Sequence, residues 1–328
     1  MYVVTGGAGF IGSNIVRGLA ERGLGPIVVV DWLKEDERWR NITKHELSDI
    51  IFPENLVPFL EMHASAIKAI IHMGAISATT ELDADLIITN NFQYPMDLWR
   101  WCARNDVGFI YASSAATYGD GAQGFDDDES IDALAELQPL NAYGWSKHLF
   151  DRKVVRMIED GEPRPPQWAG LKFFNVYGPN EYHKGRMASV VSQIYPTAAK
   201  GETCQLFKSH HPDYEDGGQL RDFIWVEDCV DIVLWLLENP LINGLFNCGT
   251  GKARSFASLA QAVYAALDKN VDIEFVDTPA DIRNKYQYFT QARMSKLIAV
   301  GYRKPMTSLE DGVAKYVQRY LNANDPYC

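Results

Sequence analysis

The sequence predicts an α/β fold, with a Rossmann-type doubly wound parallel sheet and a smaller α/β C-terminal domain. Three observations predict it. A short apolar strand at the start of the chain runs through a glycine-rich turn into a helix with apolar residues at helical spacing, as in a βα unit. Further apolar runs of strand length stand at 27–30, 67–72, 108–112 and 171–177, separated by helical or loop segments. With 328 residues, 47% of them hydrophobic, the chain can bury the cores of both domains.

The glycine-rich turn contains Gly6, Gly9 and Gly12, spaced three residues apart. Gly6 permits a tight turn, Gly9 lets the backbone approach a pyrophosphate at the helix N-terminus, and Gly12 allows helix and strand to pack closely. Asp31 ends the second strand, at the place where an acidic residue reaches the adenosine ribose of a dinucleotide. The turn and the carboxylate together predict a dinucleotide-binding site.

The residues after Asp31 leave the choice between NAD and NADP open. Segment 34–40 is polar and charged, and we expect a solvated loop at the ribose end of the cofactor. Asp31 favours a free 2′-hydroxyl, whereas Lys34 or Arg38 could hold a 2′-phosphate.

Composition and charge argue against several function classes. The chain has 31 Lys and Arg against 43 Asp and Glu, a formal net charge of -12, whereas a nucleic-acid or anionic-membrane partner needs a basic face. The five cysteines are scattered without a CxxC pair, so we expect buried thiols, with no disulfide framework and no metal site. No apolar run is long enough to span a bilayer, and the first strand leaves no room for a signal peptide. We therefore expect a cytoplasmic protein.

Two strand ends carry residues suited to ligand binding. The loop 73–77 and the hydroxyl-rich segment 113–119 each follow an apolar strand, and doubly wound sheets bind ligands at these carboxyl ends. The hydroxyls suit a ligand with many oxygens. A helix is expected at about 90–105 between the two strands. We expect His72 to be a packed core residue and the acidic stretch 126–129 to be a solvated loop.

Tyr143 and Lys147 lie four residues apart in a helix that begins near Asn141. This spacing puts both side chains on one helix face, so that the ammonium can approach the phenol. A nearby cation favours the phenolate, and we therefore expect a lowered phenol pKa and a usable base near neutrality. Such pairs are common in helices, but together with the glycine turn and Ser114 this one predicts an acid/base site.

The Thr-Gly-x-x-Gly-x-x-Gly turn, the serine after the central strand and the Tyr-x-x-x-Lys helix resemble the extended short-chain dehydrogenases that act on nucleotide sugars. The resemblance covers nearly the whole chain. It implies Tyr143 as the acid/base, Lys147 as a ligand of the nicotinamide ribose and Ser114 as a hydrogen-bond partner of the substrate. The 4,6-dehydratases of this family carry an Asp-Glu pair after the strand-end hydroxyl. Ala115 and Ala116 stand there instead, which leaves epimerisation or simple oxidoreduction.

Within that family, four stretches are similar to the ADP-glyceromanno-heptose 6-epimerases: SSAATYG at 113–119, FNVYGP at 174–179, HKGRMAS at 183–189 and YQYFTQ at 286–291. The resemblance implies a cofactor, generally NADP, that takes a hydride from C6″ of ADP-heptose. The resulting aldehyde is then reduced on its other face. The resemblance assigns the two opposed bases of this reaction to Tyr143 and Lys184. From the residues alone, Lys184 could equally be a surface lysine that pairs with a phosphate.

The motifs and the resemblance imply three sets of site residues. The catalytic set is Tyr143, Lys147, Lys184 and Ser114. The cofactor-binding set, for NADP with NAD as the alternative, is Gly6, Gly9, Phe10, Ile11, Gly12, Asp31, Trp32, Arg38, Met73, Ser77, Asn90, Tyr143, Lys147, Val176 and Lys184. The substrate-binding set, for a sugar nucleotide, is Ser114, Asn175, Ser189, Phe207, Arg221 and Tyr286. Arg221 matches the family arginine that meets the sugar-nucleotide phosphates, and its alternative role is that of a solvated surface arginine.

Two departures from the family pattern affect the ligand contacts. The epimerases usually carry Phe-x-Gly-Ser in the loop that holds the nucleotide, whereas this chain has FKSH at 207–210 and then a longer loop through Gly218. The choice between adenine and uracil therefore stays open. Trp32 replaces a small polar residue that usually follows the ribose-binding aspartate.

The resemblance thus implies epimerisation at C6″ of ADP-D-glycero-D-manno-heptose for the lipopolysaccharide inner core, by a homo-oligomer for which a pentamer is one candidate. Two alternatives stay open. An NAD-dependent UDP-sugar 4-epimerase would not need Lys184, and a non-catalytic cofactor sensor would not need Tyr143 and Lys147.

We place an NAD(P)-binding domain at 1–170, with later crossings of the chain near 220–240 and 287–300. Residues 171–328 are expected to form mainly the substrate-binding domain.

Overall fold

The computed structural model describes residues 1–279, 283 and 287–328. Its central sheet contains seven parallel strands, numbered along the chain: β1 (Tyr2–Thr5), β2 (Ile27–Val30), β3 (Asp49–Ile51), β4 (Ala69–His72), β5 (Gly108–Ser114), β6 (Trp168–Phe173) and β10 (Gly244–Cys248). The order across the sheet is β10-β6-β5-β4-β1-β2-β3. The strand order reverses between β1 and β4, where sheets of this kind bind ligands. The predicted doubly wound fold is confirmed.

Helices cover both faces of the central sheet. On one face lie α1 (Phe10–Glu21) and α8 (Val226–Glu238), and on the other lie α2 (Leu56–His63), α4 (Tyr94–Arg104) and α6 (Ala142–Glu159). Neighbouring residues in a strand point to opposite faces, so Val3 and Val4 enter different cores, both with 0% exposure. Burial on both faces explains why these strands read as continuous apolar runs.

A smaller α/β region follows in the C-terminal half. The strands β7 (Asn175–Tyr177), β9 (Leu220–Trp225) and β11 (Ala253–Ser255) form one sheet, and β8 (Cys204–Phe207) pairs in parallel with β12 (Ile273–Val276). Three helices pack with them around a third core: α7 (Val190–Lys200), α9 (Phe256–Ala266) and α11 (Leu309–Tyr316). The short helices α3 (Ala84–Ile88), α5 (Ile131–Glu136) and α10 (Ser295–Ala299) complete the α-helices of the described residues.

The prediction of one strand at 171–177 is wrong, because the segment forms two strands in different sheets. β6 pairs with β5 and β10, whereas β7 pairs with β9. Phe174 lies between them and donates its N–H to the carbonyl of Cys248 at 3.0 Å. Apolar residues on both sides of this point, among them Phe173 and Tyr177, pack into large cores. The hydrophobic pattern therefore continues where the pairing partner changes. β10 lies in the central sheet although its residues, 244–248, fall outside the predicted crossings.

The helix predicted at about 90–105 begins earlier. α3 starts after Asp83, whose carboxylate accepts the Leu86 N–H at 2.9 Å, which is an N-cap that satisfies an otherwise unpaired amide. A π-helical turn, Thr89–Gln93, then joins α3 to α4. Asn90 and Asn91 therefore lie inside a widened turn rather than at a helix start.

None of the described helices is long and apolar enough to cross a membrane. The described residues contain no group of three or more His, Cys, Asp or Glu that could hold a metal ion. All five cysteines are buried as free thiols.

Candidate active site

A cavity of about 830 Å³ opens at the carboxyl ends of β1, β2, β4 and β5. Phe223 and Leu259 from the C-terminal region line its other side, so it lies in a cleft between the two parts of the chain. Most of the predicted site residues line this cavity: Gly6, Gly9, Phe10, Ile11, Gly12, Asp31, Trp32, Arg38, Met73, Ser77, Asn90, Ser114, Tyr143, Lys147, Asn175, Val176, Lys184 and Ser189.

The glycine turn has the geometry of a phosphate cradle. Gly6 has a φ of +64°, in the left-handed region that glycine tolerates. A Cβ on Gly12 would stand 2.1 Å from the carbonyl oxygen of Gly6, so α1 can pack this closely on the turn only with glycine there. Gly9 N-caps α1 without a side-chain hydrogen bond, which leaves the first turn of the helix to bind an anion. The cradle therefore fits the pyrophosphate of a dinucleotide.

The ribose end of the cradle is defined by Asp31 and Arg38. Asp31 is 9% exposed, and its Oδ2 accepts the Ala8 N–H at 3.0 Å. Burial raises the pKa of this carboxyl, while the Ala8 amide and the Arg38 charge oppose the rise. Arg38 binds Asp36 through Nε at 2.8 Å and Nη2 at 2.7 Å. Both a carboxylate and a guanidinium thus line the cavity where the 2′-position of a dinucleotide would lie.

Tyr143, Lys147 and Ser114 all line the cavity. The Asn141 side chain accepts the Gly144 N–H at 2.8 Å and so caps α6. A Cβ on Gly144 would stand 2.7 Å from the carbonyl oxygen of Ala116, so glycine lets the first turn of α6 approach the end of β5. This approach places the Tyr143 phenol beside the Ser114 hydroxyl.

The prediction of a lowered phenol pKa is wrong. Burial raises the pKa of Tyr143, the neighbouring Ser114 hydroxyl lowers it, and the charge of Asp151 raises it further. Burial also lowers the pKa of Lys147 to about 8, against the opposing effect of Asp151. The desolvation of the phenolate therefore raises the pKa of Tyr143 by more than the Ser114 side chain lowers it.

A buried charge pair lies behind these residues. Lys172 donates to Asp151 Oδ2 at 2.8 Å, and the two side chains are 1% and 0% exposed. The hydroxyls of Tyr111 and Ser113 donate to the same carboxylate at 3.0 and 2.7 Å. Lys172 also donates to Thr117 Oγ1 at 2.8 Å. This network connects α6 to β5, to β6 and to the turn after Ser114, and so holds the acid/base helix against the sheet.

Lys184 reaches the cavity from a separate element, a 3₁₀ turn spanning Tyr182–Met187. Its ammonium lies 5.3 Å from the centre of the Phe10 ring. Burial lowers its pKa, and the charge of Glu181 opposes the change. Glu181 is 0% exposed and accepts from the Ser189 N–H and Oγ, both at 2.6 Å, and from the Tyr316 hydroxyl at 3.0 Å. The turn that carries Lys184 is therefore anchored from within.

A model of the NAD dependent epimerase/dehydratase family matches residues 2–249. The chain belongs to this family. Two relatives named ADP-L-glycero-D-manno-heptose-6-epimerase, from Fusobacterium nucleatum and Nitratidesulfovibrio vulgaris, are each 49% identical to it. Both alignments cover 100% of this chain and 100% of the relative.

Solved structures of epimerases share the fold. ADP-L-glycero-D-manno-heptose-6-epimerase of Helicobacter pylori is 26% identical with a TM-score of 0.79, over 97% of this chain and 95% of that one. UDP-glucose 4-epimerase of Thermus thermophilus, in complex with NAD, has a TM-score of 0.77 at 24% identity, over 98% of this chain and 99% of that one. A nicotinamide dinucleotide is the cofactor of the epimerase/dehydratase family, and the glycine cradle fits that assignment.

The sequence analysis did not identify two structural features near the cavity. The Asn91 side chain bonds both the N–H and the carbonyl of Ile76, at 2.8 and 2.9 Å, and donates to Ser146 Oγ at 3.0 Å. It thereby joins the loop after β4 to α6. The Tyr94 hydroxyl is buried beside the cavity with no hydrogen-bond partner among the described residues. The sequence could have indicated that Tyr94 faces the cavity, because Tyr94 lies four residues, or about one helical turn, after the predicted cavity residue Asn90.

His72 is a core residue, as predicted. It is 1% exposed, and its Nδ1 lies 2.6 Å from Thr5 Oγ1 on the neighbouring strand. Burial, with a smaller effect of the Lys147 charge, lowers its pKa to about 3. The acidic stretch 126–129, predicted as a solvated loop, is partly built into the core: Asp127 is 0% exposed and accepts the Asn247 N–H at 2.8 Å.

Two predicted substrate residues of the epimerase do not line the cavity. Phe207 ends β8, and Arg221 lies in β9. The Arg221 guanidinium donates to the carbonyls of Leu220 and Gln287 and lies 5.6 Å from the centre of the Phe256 ring, which does line the cavity. Arg221 is 8% exposed, so its alternative role as a solvated surface arginine is wrong. Tyr286 lies outside the described residues.

Proposed function

We propose that this chain is an ADP-L-glycero-D-manno-heptose 6-epimerase, which inverts C6″ of ADP-D-glycero-D-manno-heptose for lipopolysaccharide inner-core synthesis. Full-length relatives at 49% identity carry that enzyme's name. The observation that carries the proposal is that two proton-transfer groups, Tyr143 and Lys184, line one cavity from separate elements. A reaction that removes and returns a hydride on different faces of one carbon needs a group that accepts the hydroxyl proton in one substrate orientation and a group that donates a proton in the other.

The side chains divide the proton chemistry between them. Tyr143, which lies beside Ser114, accepts the proton of the C6″ hydroxyl in one orientation of the sugar. Lys147 lies one helical turn away on the same face, and its ammonium stabilises the phenolate. Lys184 exchanges the hydroxyl proton in the other orientation. When bound, NADP supplies the reversible acceptance of the hydride. Ala115 and Ala116, after Ser114, offer no acid/base pair for dehydration.

The experiment that tests the proposal is proton NMR of the C6″ signals with ADP-D-glycero-D-manno-heptose, with UDP-glucose in a parallel sample. We expect conversion of the heptose only. Tyr143→Phe and Lys184→Met should each lower the rate by about 10²- to 10⁴-fold, the usual contribution of a positioned acid/base. Arg186→Met is the matched control, because Arg186 is an exposed cation in the same turn.

Three results would contradict parts of this proposal. Conversion of UDP-glucose alone would support the 4-epimerase. No conversion of either sugar would support a non-catalytic sensor. A Lys184→Met variant as active as Arg186→Met would refute the assignment of two bases.

We further propose NADP as the cofactor, with Arg38 as the residue that binds the 2′-phosphate. The Arg38 guanidinium donates to the Asp36 carboxylate through Nε and Nη2, and within the described residues its Nη1 has no hydrogen-bond partner. Nη1 is therefore available to donate to a phosphate. Arg38→Met should weaken NADP binding by about tenfold, equivalent to 1.4 kcal/mol, and leave NAD binding unchanged, as measured by fluorescence titration. Equal losses for both dinucleotides would refute the role of Arg38, and tighter NAD binding by the unaltered protein would favour Asp31 as the determinant.

We also propose that the enzyme is a cytoplasmic homo-oligomer. The edge strand β3 leaves Ile50 44% exposed, next to Phe52 at 50%, and an uncovered apolar sheet edge favours association. Analytical ultracentrifugation gives the assembly size, and a monomer at micromolar concentration would contradict the proposal.

A further inference from the structure

The last four described residues, Asp325–Cys328, form a segment that we call the strap. Tyr327 and Cys328 are each only 8% exposed. The strap follows a π-helical turn at Val317–Leu321, and it returns from the C-terminal region to the wall of the cofactor cradle. Burial at this position requires specific partners.

One set of partners belongs to the segment that carries Lys184. The Tyr182 hydroxyl donates to the carbonyl of Pro326 at 2.7 Å. The rings of Tyr182 and Tyr327 meet edge to face, with their centres 5.3 Å apart. The strap therefore binds Tyr182, two residues before Lys184, through both a hydrogen bond and a ring contact.

Asn180 gives the strap a second hold on the same segment. Its Oδ1 accepts the Cys328 N–H at 3.1 Å, and its Nδ2 donates to Ser13 Oγ at 3.0 Å. Asn180 is 0% exposed and has a φ of +73°, a left-handed conformation that costs energy for any residue except glycine. The strap is one of the contacts that hold this conformation, and the conformation sets the direction in which the chain reaches Lys184.

The strap also binds the segment that follows Arg38. Lys44 donates to the carbonyl of Tyr327 at 2.6 Å and pairs with Asp325 at 2.9 Å. The Arg40 guanidinium lies 4.4 Å from the centre of the Tyr327 ring. The strap thus connects two walls of the cavity, one that carries Lys184 and one that carries Arg38.

We propose that the strap positions Lys184 for proton transfer, by fixing the 180–184 segment against the cofactor cradle. The inference rests on the proposed role of Lys184 as the second base. Glu181 anchors the segment from inside, and the strap anchors it from outside. Proton transfer depends on distances of a few tenths of an ångström, and a displacement of about 1 Å can cost about 10²-fold in rate. The strap residues act through Lys184 and are positioning residues, not catalytic ones.

The test combines strap variants with Lys184→Met in the full chain. One variant ends at Asn324 and lacks the strap, and a milder one, Tyr327→Ala, keeps the backbone hydrogen bonds. We expect each to lower kcat by about 10- to 100-fold, with changes in KM for the sugar nucleotide of less than about threefold. Tyr327→Phe keeps the ring and should restore most of the activity. Tyr195→Phe is the matched control, because the Tyr195 hydroxyl meets Asn322 before the strap, at 3.4 Å.

The combined variants separate the possible failures. If the strap acts through Lys184, removing it from the Lys184→Met variant should cause no further loss, since coupled residues are not additive. An equal fold-loss in both backgrounds would overturn the proposal, as would full activity of the strapless chain. If Lys184→Met were itself fully active, the assignment of two bases would fail first, and the strap would lose its role with it.

Discussion

Replacing Asp151 by asparagine should destabilise the protein strongly, although the two side chains are nearly the same size. The Asp151 side chain is 0% exposed and neutralises Lys172, which is 1% exposed. The variant leaves a buried ammonium without its counter-charge, and breaking a buried pair in this way costs about 3 to 5 kcal/mol. Unfolding entropy scales as about 2.1 cal/mol/K per residue, which for 328 residues gives about 0.7 kcal/mol/K. The melting temperature should therefore fall by about 4 to 7 °C.

Differential scanning calorimetry of matched variants measures this effect. Glu37→Gln breaks an exposed ion pair with Arg40, 2.9 Å long and with both side chains at least 40% exposed, and should cost about 0 to 1 kcal/mol. The double variant Asp151→Asn with Lys172→Met should regain most of the loss, because replacing a whole buried pair is often neutral. The reasoning would be refuted if Asp151→Asn lowered the melting temperature no more than Glu37→Gln, or if the double variant were no more stable than the single one.

Three further outcomes follow from the site. The pKa of Tyr143 is raised and that of Lys147 is lowered to about 8. A plot of log kcat/KM against pH should therefore rise with unit slope to about pH 8 and then level off, because above that pH the loss of the Lys147 proton cancels the gain in phenolate. An NMR assay of quenched samples that showed a steady rise to about pH 9 would contradict this. Gly12→Ala places a Cβ 2.1 Å from a backbone oxygen and should weaken cofactor binding by about 5- to 150-fold, given an overpacking cost of about 1 to 3 kcal/mol. Gly108→Ala, whose Cβ would have its nearest contact at 3.4 Å, should leave binding unchanged; titration of dinucleotide fluorescence compares the two variants. Burial lowers the pKa of His72 from 6.5 to about 3, so between these two pH values only the unfolded chain binds the proton, and the free energy of unfolding falls as the pH drops below 6.5. His72→Gln should recover about 2 kcal/mol of this loss at pH 5, as measured by urea unfolding. An unchanged pH dependence would show that other groups dominate.

The central sheet was predictable because its signals are local. Strands that are buried on both faces read as continuous apolar runs, and the glycine turn constrains its own backbone. Tyr143 and Lys147 were predictable for the same reason, since the helical repeat places residues four apart on one face. The carboxyl ends of parallel strands meet at one sheet edge, so Ser114 and the 73–77 loop could be assigned to the same cavity before any coordinate was known.

The properties that depend on distant neighbours were not predictable. The sign of the Tyr143 pKa shift depends on how deeply the fold buries the phenol, and Asp151 could not be paired with Lys172 from their positions in the chain. The single strand expected at 171–177 changes sheets at Phe174 because a third core lies beyond it. Arg221 carries the family pattern, but its guanidinium donates to the backbone carbonyls of Leu220 and Gln287.

The sequence by itself determined the fold class, the dinucleotide cradle and the residue types available for proton transfer, because periodicity and turn chemistry act over a few residues. Only the tertiary structure decided which of these residues share the cavity, how burial shifts their proton affinities, and which segments hold them in place. The strap is the clearest case: Tyr327 meets Tyr182 across 145 positions of the chain. Desolvation and packing depend on contacts between residues that are far apart in the chain, and local sequence patterns do not predict such contacts.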